Sequence, residues 1–145
     1  MSPRVSSRAS SFRRPPTSLR SWPLAKFAGS RIFVVEDETL VLFNLEDILT
    51  DLGCEVAGQA MRLDKAVELA KTVGEVDAAI LDVNIGGTTV FPAAQILAER
   101  GVPLLFATGY GRDGLPDEWQ GHAVIVKPYS PQDVERALGP LLDKQ

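Results

Sequence analysis

The feature that most constrains this chain is a repeated unit. A short, mostly apolar run, too brief for a helix, is followed by a segment whose apolar residues recur at three- and four-residue steps. The short runs are Ile32 to Val35, Cys54 to Ala57, Ala78 to Leu81, Val102 to Ala107 and Ala123 to Val126. Each reads as a buried strand. Between them, Val41, Leu45, Ile48 and Leu52 mark one helix, and Ala66, Leu69, Ala70 and Val73 a second. A third runs from about Val90 to Arg100, with Pro92 tolerated in its first turn. The last opens with Ser130 as N-cap, Pro131 next and Asp133 at the third position, and buries Val134, Ala137, Leu138 and Leu141. Gly139-Pro140 is expected to bend or fray it.

Strands that alternate with helices through short connections form a parallel sheet covered on both faces. Right-handed crossovers then limit the topology. The expected fold is α/β, a doubly wound five-stranded parallel sheet in the flavodoxin-like order 2-1-3-4-5, with helices on both faces. Such sheets carry their sites at the carboxyl ends of the strands, at the switch point between strands one and three. One interval breaks the pattern. Gly109 to His122 carries four glycines and a proline and shows little periodicity, so at most a short helix around Pro116 to Gln120 is expected there.

A chain of 145 residues suits one domain with a substantial core. Its charge is uneven. Residues 1–31 carry seven basic side chains and no acid, whereas the remainder carries eight basic and 19 acidic ones, a balance of −11. Residues 1–30, rich in Arg, Ser and Pro, read as a disordered basic extension, with Trp22 and Phe27 as aromatic groups that could dock it onto the domain. The extension lacks the continuous apolar stretch of a secretory signal. The domain proper is assigned to residues 31–145. Its acidity disfavours nucleic acid as a partner, and no apolar stretch is long enough to span a bilayer. The single cysteine, Cys54, rules out an internal disulfide and reads as a small buried hydrophobe.

The strand ends carry the chemistry. Strand one ends at Glu36 and Asp37, strand three at Asp82, strand four at Thr108, and strand five at Lys127 followed by Pro128. In isolation each has a bland reading: Asp82 as a loop or helix cap, Glu36-Asp37-Glu38 as charge favouring a helix dipole, Thr108 as a loop cap, Lys127-Pro128 as a turn. Crowded carboxylates, however, repel one another unless a cation sits among them. Hard oxygen ligands with open positions suit Mg²⁺, and a lysine and a hydroxyl nearby complete a phosphoryl-binding set.

This pattern resembles the receiver domain of two-component response regulators, over essentially all of residues 31–145. The resemblance implies that Asp82 is the nucleophile taking a phosphoryl group from a phosphohistidine on a sensor histidine kinase or histidine phosphotransfer protein. It implies that Glu36, Asp37, Asp82 and the backbone carbonyl of Asn84 hold Mg²⁺. Lys127 would pair with the phosphoryl oxygens, Thr108 would swing to bond one of them, and Lys127-Pro128 would be cis. Phe106-Ala107-Thr108-Gly109-Tyr110 matches the FATGUY signature of a subgroup of single-domain regulators. In that subgroup the segment after the threonine carries the response. Two residues depart from the commoner pattern: Val124 replaces the aromatic three positions before the lysine, and Glu36 replaces an aspartate.

The resemblance further implies a cytoplasmic phosphoprotein that is not an enzyme beyond its own phosphotransfer and dephosphorylation. Gln145 follows the last helix at once, so no DNA-binding module is expected, and signalling would pass to an unidentified downstream protein or by onward transfer. Two other readings stay open. A degenerate receiver would act only as a binding scaffold. A Toprim-type metal-dependent nucleic-acid enzyme would pair a strand-end glutamate with a D-x-D motif, but position 84 is Asn and Lys127 would have no role. Tyr110 and Trp119 are candidates for an exposed patch, and His122 for a solvated loop histidine.

Overall fold

A computed structural model describes residues 26–143; Trp22 and the rest of residues 1–25 lie outside the described residues. The main sheet holds β1 (Arg31–Val35), β2 (Glu55–Ala60), β3 (Ala78–Asp82), β6 (Leu104–Thr108) and β7 (Ala123–Val126). Its order is β2-β1-β3-β6-β7 and every pairing is parallel. Set aside the small hairpin of β4 (Asn84–Ile85) and β5 (Thr88–Thr89), and this is the 2-1-3-4-5 order expected from sequence. The helices are α1 (Thr39–Asp51), α2 (Leu63–Thr72), α3 (Phe91–Glu99) and α4 (Pro131–Asp143).

Alternation along the strands builds two cores. Phe33, Val35, Leu81 and Phe106 point to one face, where Ala66, Ala70, Ala94 and Leu97 from α2 and α3 cover them. Ile32, Val34, Ile80 and Leu105 point to the other, under Leu45 and Leu49 of α1 and Val134 and Leu138 of α4. The central strand β3 is buried along its whole length, as a strand covered on both faces must be. Cys54 lies in the second core; burial, with the charge of Asp77 adding to it, pushes its thiol pKa up to about 12.

Three features depart from the sequence expectation. The interval between β6 and β7 meets the expectation of at most a short helix around Pro116 to Gln120 with a 3₁₀ turn at Asp117–Trp119, and adds an unexpected one at Gly111–Gly114. Helix α4 runs unbroken to Asp143 with Pro140 inside it. Ser130 and Asp133 secure its start, the Ser130 N–H donating to Asp133 Oδ2 at 2.9 Å and the Asp133 N–H to Ser130 Oγ at 3.1 Å. This is a reciprocal capping box. Finally, Phe27, placed in the extension on composition, is buried in the second core. Its N–H donates to the Leu52 carbonyl at 2.9 Å, and Gly139 of α4 lies beside its ring. The folded unit therefore starts upstream of residue 31.

Candidate functional site

Because the five strands run parallel, their carboxyl ends emerge at one edge of the sheet. Glu36 follows β1, Asp82 ends β3, Thr108 ends β6 and Lys127 follows β7. Carboxylate oxygens of Glu36, Asp37 and Asp82 all lie within 4.8 Å of one another. Lys127 Nζ stands 2.9 Å from Asp82 Oδ2 and 3.2 Å from Glu36 Oε1. Glu36 is 2% exposed, Asp82 6% and Thr108 5%; they are the only buried polar side chains among the described residues. Polar groups so deeply buried need partners, and three of them cluster at the same sheet edge.

Backbone amides hold the acids in place. The Glu38 N–H donates to Glu36 Oε2 at 3.1 Å and the Asn84 N–H reaches Asp82 Oδ1 at 3.4 Å. The Gly86 N–H donates to Asp37 Oδ2 at 2.8 Å. This last contact explains the glycine pair after Asp82. Gly86 and Gly87 have φ of 59° and 87°, the left-handed values that a two-residue hairpin turn of the primed type requires. The turn between β4 and β5 thereby brings an amide back over Asp37. Sequence reading identified the glycine pair as a break and missed this role.

The electrostatics are those of a crowded acidic pocket with one cation. Burial raises the Glu36 pKa to about 7; its hydrogen bond from Glu38 opposes this, the Asp82 charge reinforces it and Lys127 opposes it. Burial works against the Lys127 ammonium, but hydrogen bonding and attraction to Asp82, then to Glu36, outweigh it and raise its pKa. Tyr129, which sequence reading did not single out, lies close enough to feel these charges. Burial, with Glu36 adding and Lys127 opposing, pushes its phenol up to about 12.

Thr108 is at the same edge, and its Oγ1 accepts the Tyr110 N–H at 3.1 Å. The Lys127-Pro128 peptide is cis. Of the residues considered for an exposed patch, Tyr110 is 82% exposed but Trp119 is only 7%. Trp119 stacks on Phe91 with ring centroids 5.3 Å apart and meets Phe106 edge-on at 5.5 Å. His122, expected in solvent, packs 5.3 Å from Trp119 and 5.8 Å from Phe106. Periodicity could not show this, because a 3₁₀ segment has no 3.6-residue stripe.

The family model described as the response regulator receiver domain matches residues 32–138, the span that delivers all of these side chains. The chain belongs to the response regulator receiver domain family. This receiver is 30% identical over 112 residues to the transcriptional regulatory protein PdtaR of Mycobacterium tuberculosis, covering 74% of this chain and 54% of PdtaR. It is 28% identical over 122 residues to the phyllosphere-induced regulator PhyR of Methylorubrum extorquens, covering 82% of this chain and 46% of PhyR. The chain thus spans about half the length of these two relatives. The solution structure of SdrG from Sphingomonas melonis shares 37% identity and a TM-score of 0.69, covering 79% of this receiver and 97% of SdrG. Among the described residues, no helix is long and apolar enough to cross a membrane.

Proposed function

We propose that this receiver is a phosphoacceptor of two-component signalling, with Asp82 the group that accepts the phosphoryl. The observation that carries the reading is the bridge made by Lys127 between Asp82 and Glu36, with Asp37 alongside. A trio of acids, Glu36 and Asp82 buried and Asp37 partly exposed beside them, faces a single ammonium and retains excess negative charge, the situation that suits a divalent cation with oxygen ligands. Glu36, Asp37, Asp82 and the Asn84 backbone carbonyl fit Mg²⁺, with Glu36 able to reach it through a water. When bound, Mg²⁺ would offset charge on the phosphoryl oxygens.

The protein's own residues do the rest. An Asp82 oxygen attacks the phosphorus of a phosphohistidine; the new P–O bond forms as the P–N bond breaks, and the electron pair leaves with the imidazole nitrogen. Lys127, already on Asp82 Oδ2, is placed to follow the transferred oxygens, and such transfer depends mainly on alignment and charge neutralisation. Thr108 exchanges the Tyr110 N–H for a bond to a phosphoryl oxygen. Asn84 and Tyr110, each two residues past a site residue, flank the path by which water reaches the acyl phosphate.

The phosphodonor is a protein, a sensor histidine kinase or histidine phosphotransfer protein. Beside Lys127 a groove of about 370 Å³ is lined by Leu40, Val41, Asn44, Pro128 and Tyr129, and Leu40 is 82% exposed. An apolar rim next to a charged centre fits a macromolecular donor better than a free small anion. The FATGUY match supports a single-domain regulator that passes its signal by phosphate-dependent binding of a downstream protein, or by onward transfer.

Intact-mass analysis tests the reading. With Mg²⁺ and acetyl phosphate the wild type should gain one phosphoryl group, and Asp82→Asn none. A wild type that gains nothing would point to the scaffold reading instead, and DNA nicking with Mg²⁺ would point to a nucleic-acid enzyme.

A further inference from the structure

The segment that replaces a helix between β6 and β7 is fastened at both ends. Arg112 Nη1 donates to the carbonyls of Gln120 and His122, and Gln120 Nε2 donates to those of Arg112 and Leu115. Trp119 anchors its far end among Phe91, Phe106 and His122. Its near end is pressed against Thr108. A Cβ placed on Gly114 would lie 2.5 Å from Thr108 Oγ1 and 3.3 Å from both Thr108 Cβ and Cγ2. Gly114 does not have a positive φ, so backbone conformation is not what requires glycine here. Space is.

The Thr108 hydroxyl is therefore held between two groups of this segment: the Tyr110 N–H, whose bond it accepts, and the bare face of Gly114. A β-branched side chain in a buried site has few rotamers, so Thr108 cannot turn without changing both contacts. Val124, on β7, is small and only half-buried, and offers no large ring to carry such a change.

We propose that Gly114 is a positioning residue, the contact through which Thr108 and the segment 111–122 set each other's place; its signalling consequence rests on the phosphoacceptor reading above. With Thr108 on the Tyr110 amide, Gly114 seats the segment against the end of β6. When the hydroxyl turns toward a phosphoryl oxygen on Asp82, the Tyr110 amide loses its acceptor and the segment loosens. Coupling of this kind is reciprocal, so displacing the segment also shifts Thr108.

Hydrogen exchange of the Leu115 amide, which donates to the Arg112 carbonyl at 3.0 Å and so reports the seated turn, tests the proposal in the full chain without phosphodonor or metal. Gly114→Ala should exchange at least about 5-fold faster than wild type as the turn opens locally. Adding Thr108→Ala removes Oγ1 and Cγ2 and should bring the rate back to within about 2-fold of the parent Thr108→Ala protein, a non-additivity that neighbours in contact show. Gly121→Ala, where a Cβ meets nothing within 4 Å, should leave the rate unchanged. An unchanged rate in Gly114→Ala, or no rescue in the double variant, would overturn the assignment. If the single variant does not fold, folding of the double variant supports the proposal and its failure to fold rejects it. Phosphate uptake, scored separately by mass, decides the acceptor reading independently.

Discussion

Glu36 shows how a single side chain reports the strain of the whole pocket. Its carboxyl is held up at about 7 chiefly by burial. A group whose folded pKa exceeds its unfolded value stabilises the fold fully below the unfolded pKa, and this contribution is lost as pH rises through the folded one. The stability of the metal-free protein should accordingly fall between about pH 4.5 and pH 7, by on the order of 3 kcal/mol. Glu36→Gln should flatten that part of the profile, as urea unfolding at a series of pH values would reveal. A fall of the same size in the glutamine variant would assign the effect to another group. Asp82 and Lys127 were legible as chemical groups because each ends an apolar run. Which amide would hold Asp37 was not, since Gly86 comes to it from 49 residues away.

At the level of elements, local signals and long-range ones separate cleanly. The Ser130–Asp133 capping box was readable because both partners lie within one turn of chain. The β4–β5 hairpin was expected only as a loop broken by Gly86-Gly87, and the structure alone shows that its turn serves Asp37. Of the two 3₁₀ turns only the second, within Pro116 to Gln120, had a signal, and Trp119 holds the segment by packing against both Phe91 and Phe106. Trp119→Ala should therefore cost about 3 kcal/mol, typical of deleting a buried aromatic side chain. Denaturant unfolding at unchanged m-value would measure it. A loss below about 0.5 kcal/mol, the scale of a surface substitution, would show that the cluster does not hold the segment.

On the scale of the whole molecule, stability and chemistry occupy opposite edges of the sheet. Phe27 closes the edge where the strands begin, against the end of α1 and Gly139 of α4. The acids, Thr108 and Lys127 gather where the strands finish. Phe27→Ala should lower stability by about 3 kcal/mol through the cavity it leaves, yet the protein that remains folded should take up phosphate from acetyl phosphate like the wild type. A matching loss of uptake in fully folded protein would mean that the two edges are coupled.

The order of apolar runs and amphipathic segments was enough to specify a parallel doubly wound sheet, because chain direction and crossover handedness leave few alternatives. That order also put Glu36, Asp37, Asp82, Thr108 and Lys127 at strand ends, and parallel strands finish at one edge. Only the folded molecule could decide how close those groups come, that Phe27 belongs to the core, and that Thr108 rests against Gly114. These are contacts between residues distant along the chain or inside a segment without periodicity. Periodicity reports which face of an element is buried; it carries no information about which neighbour does the burying.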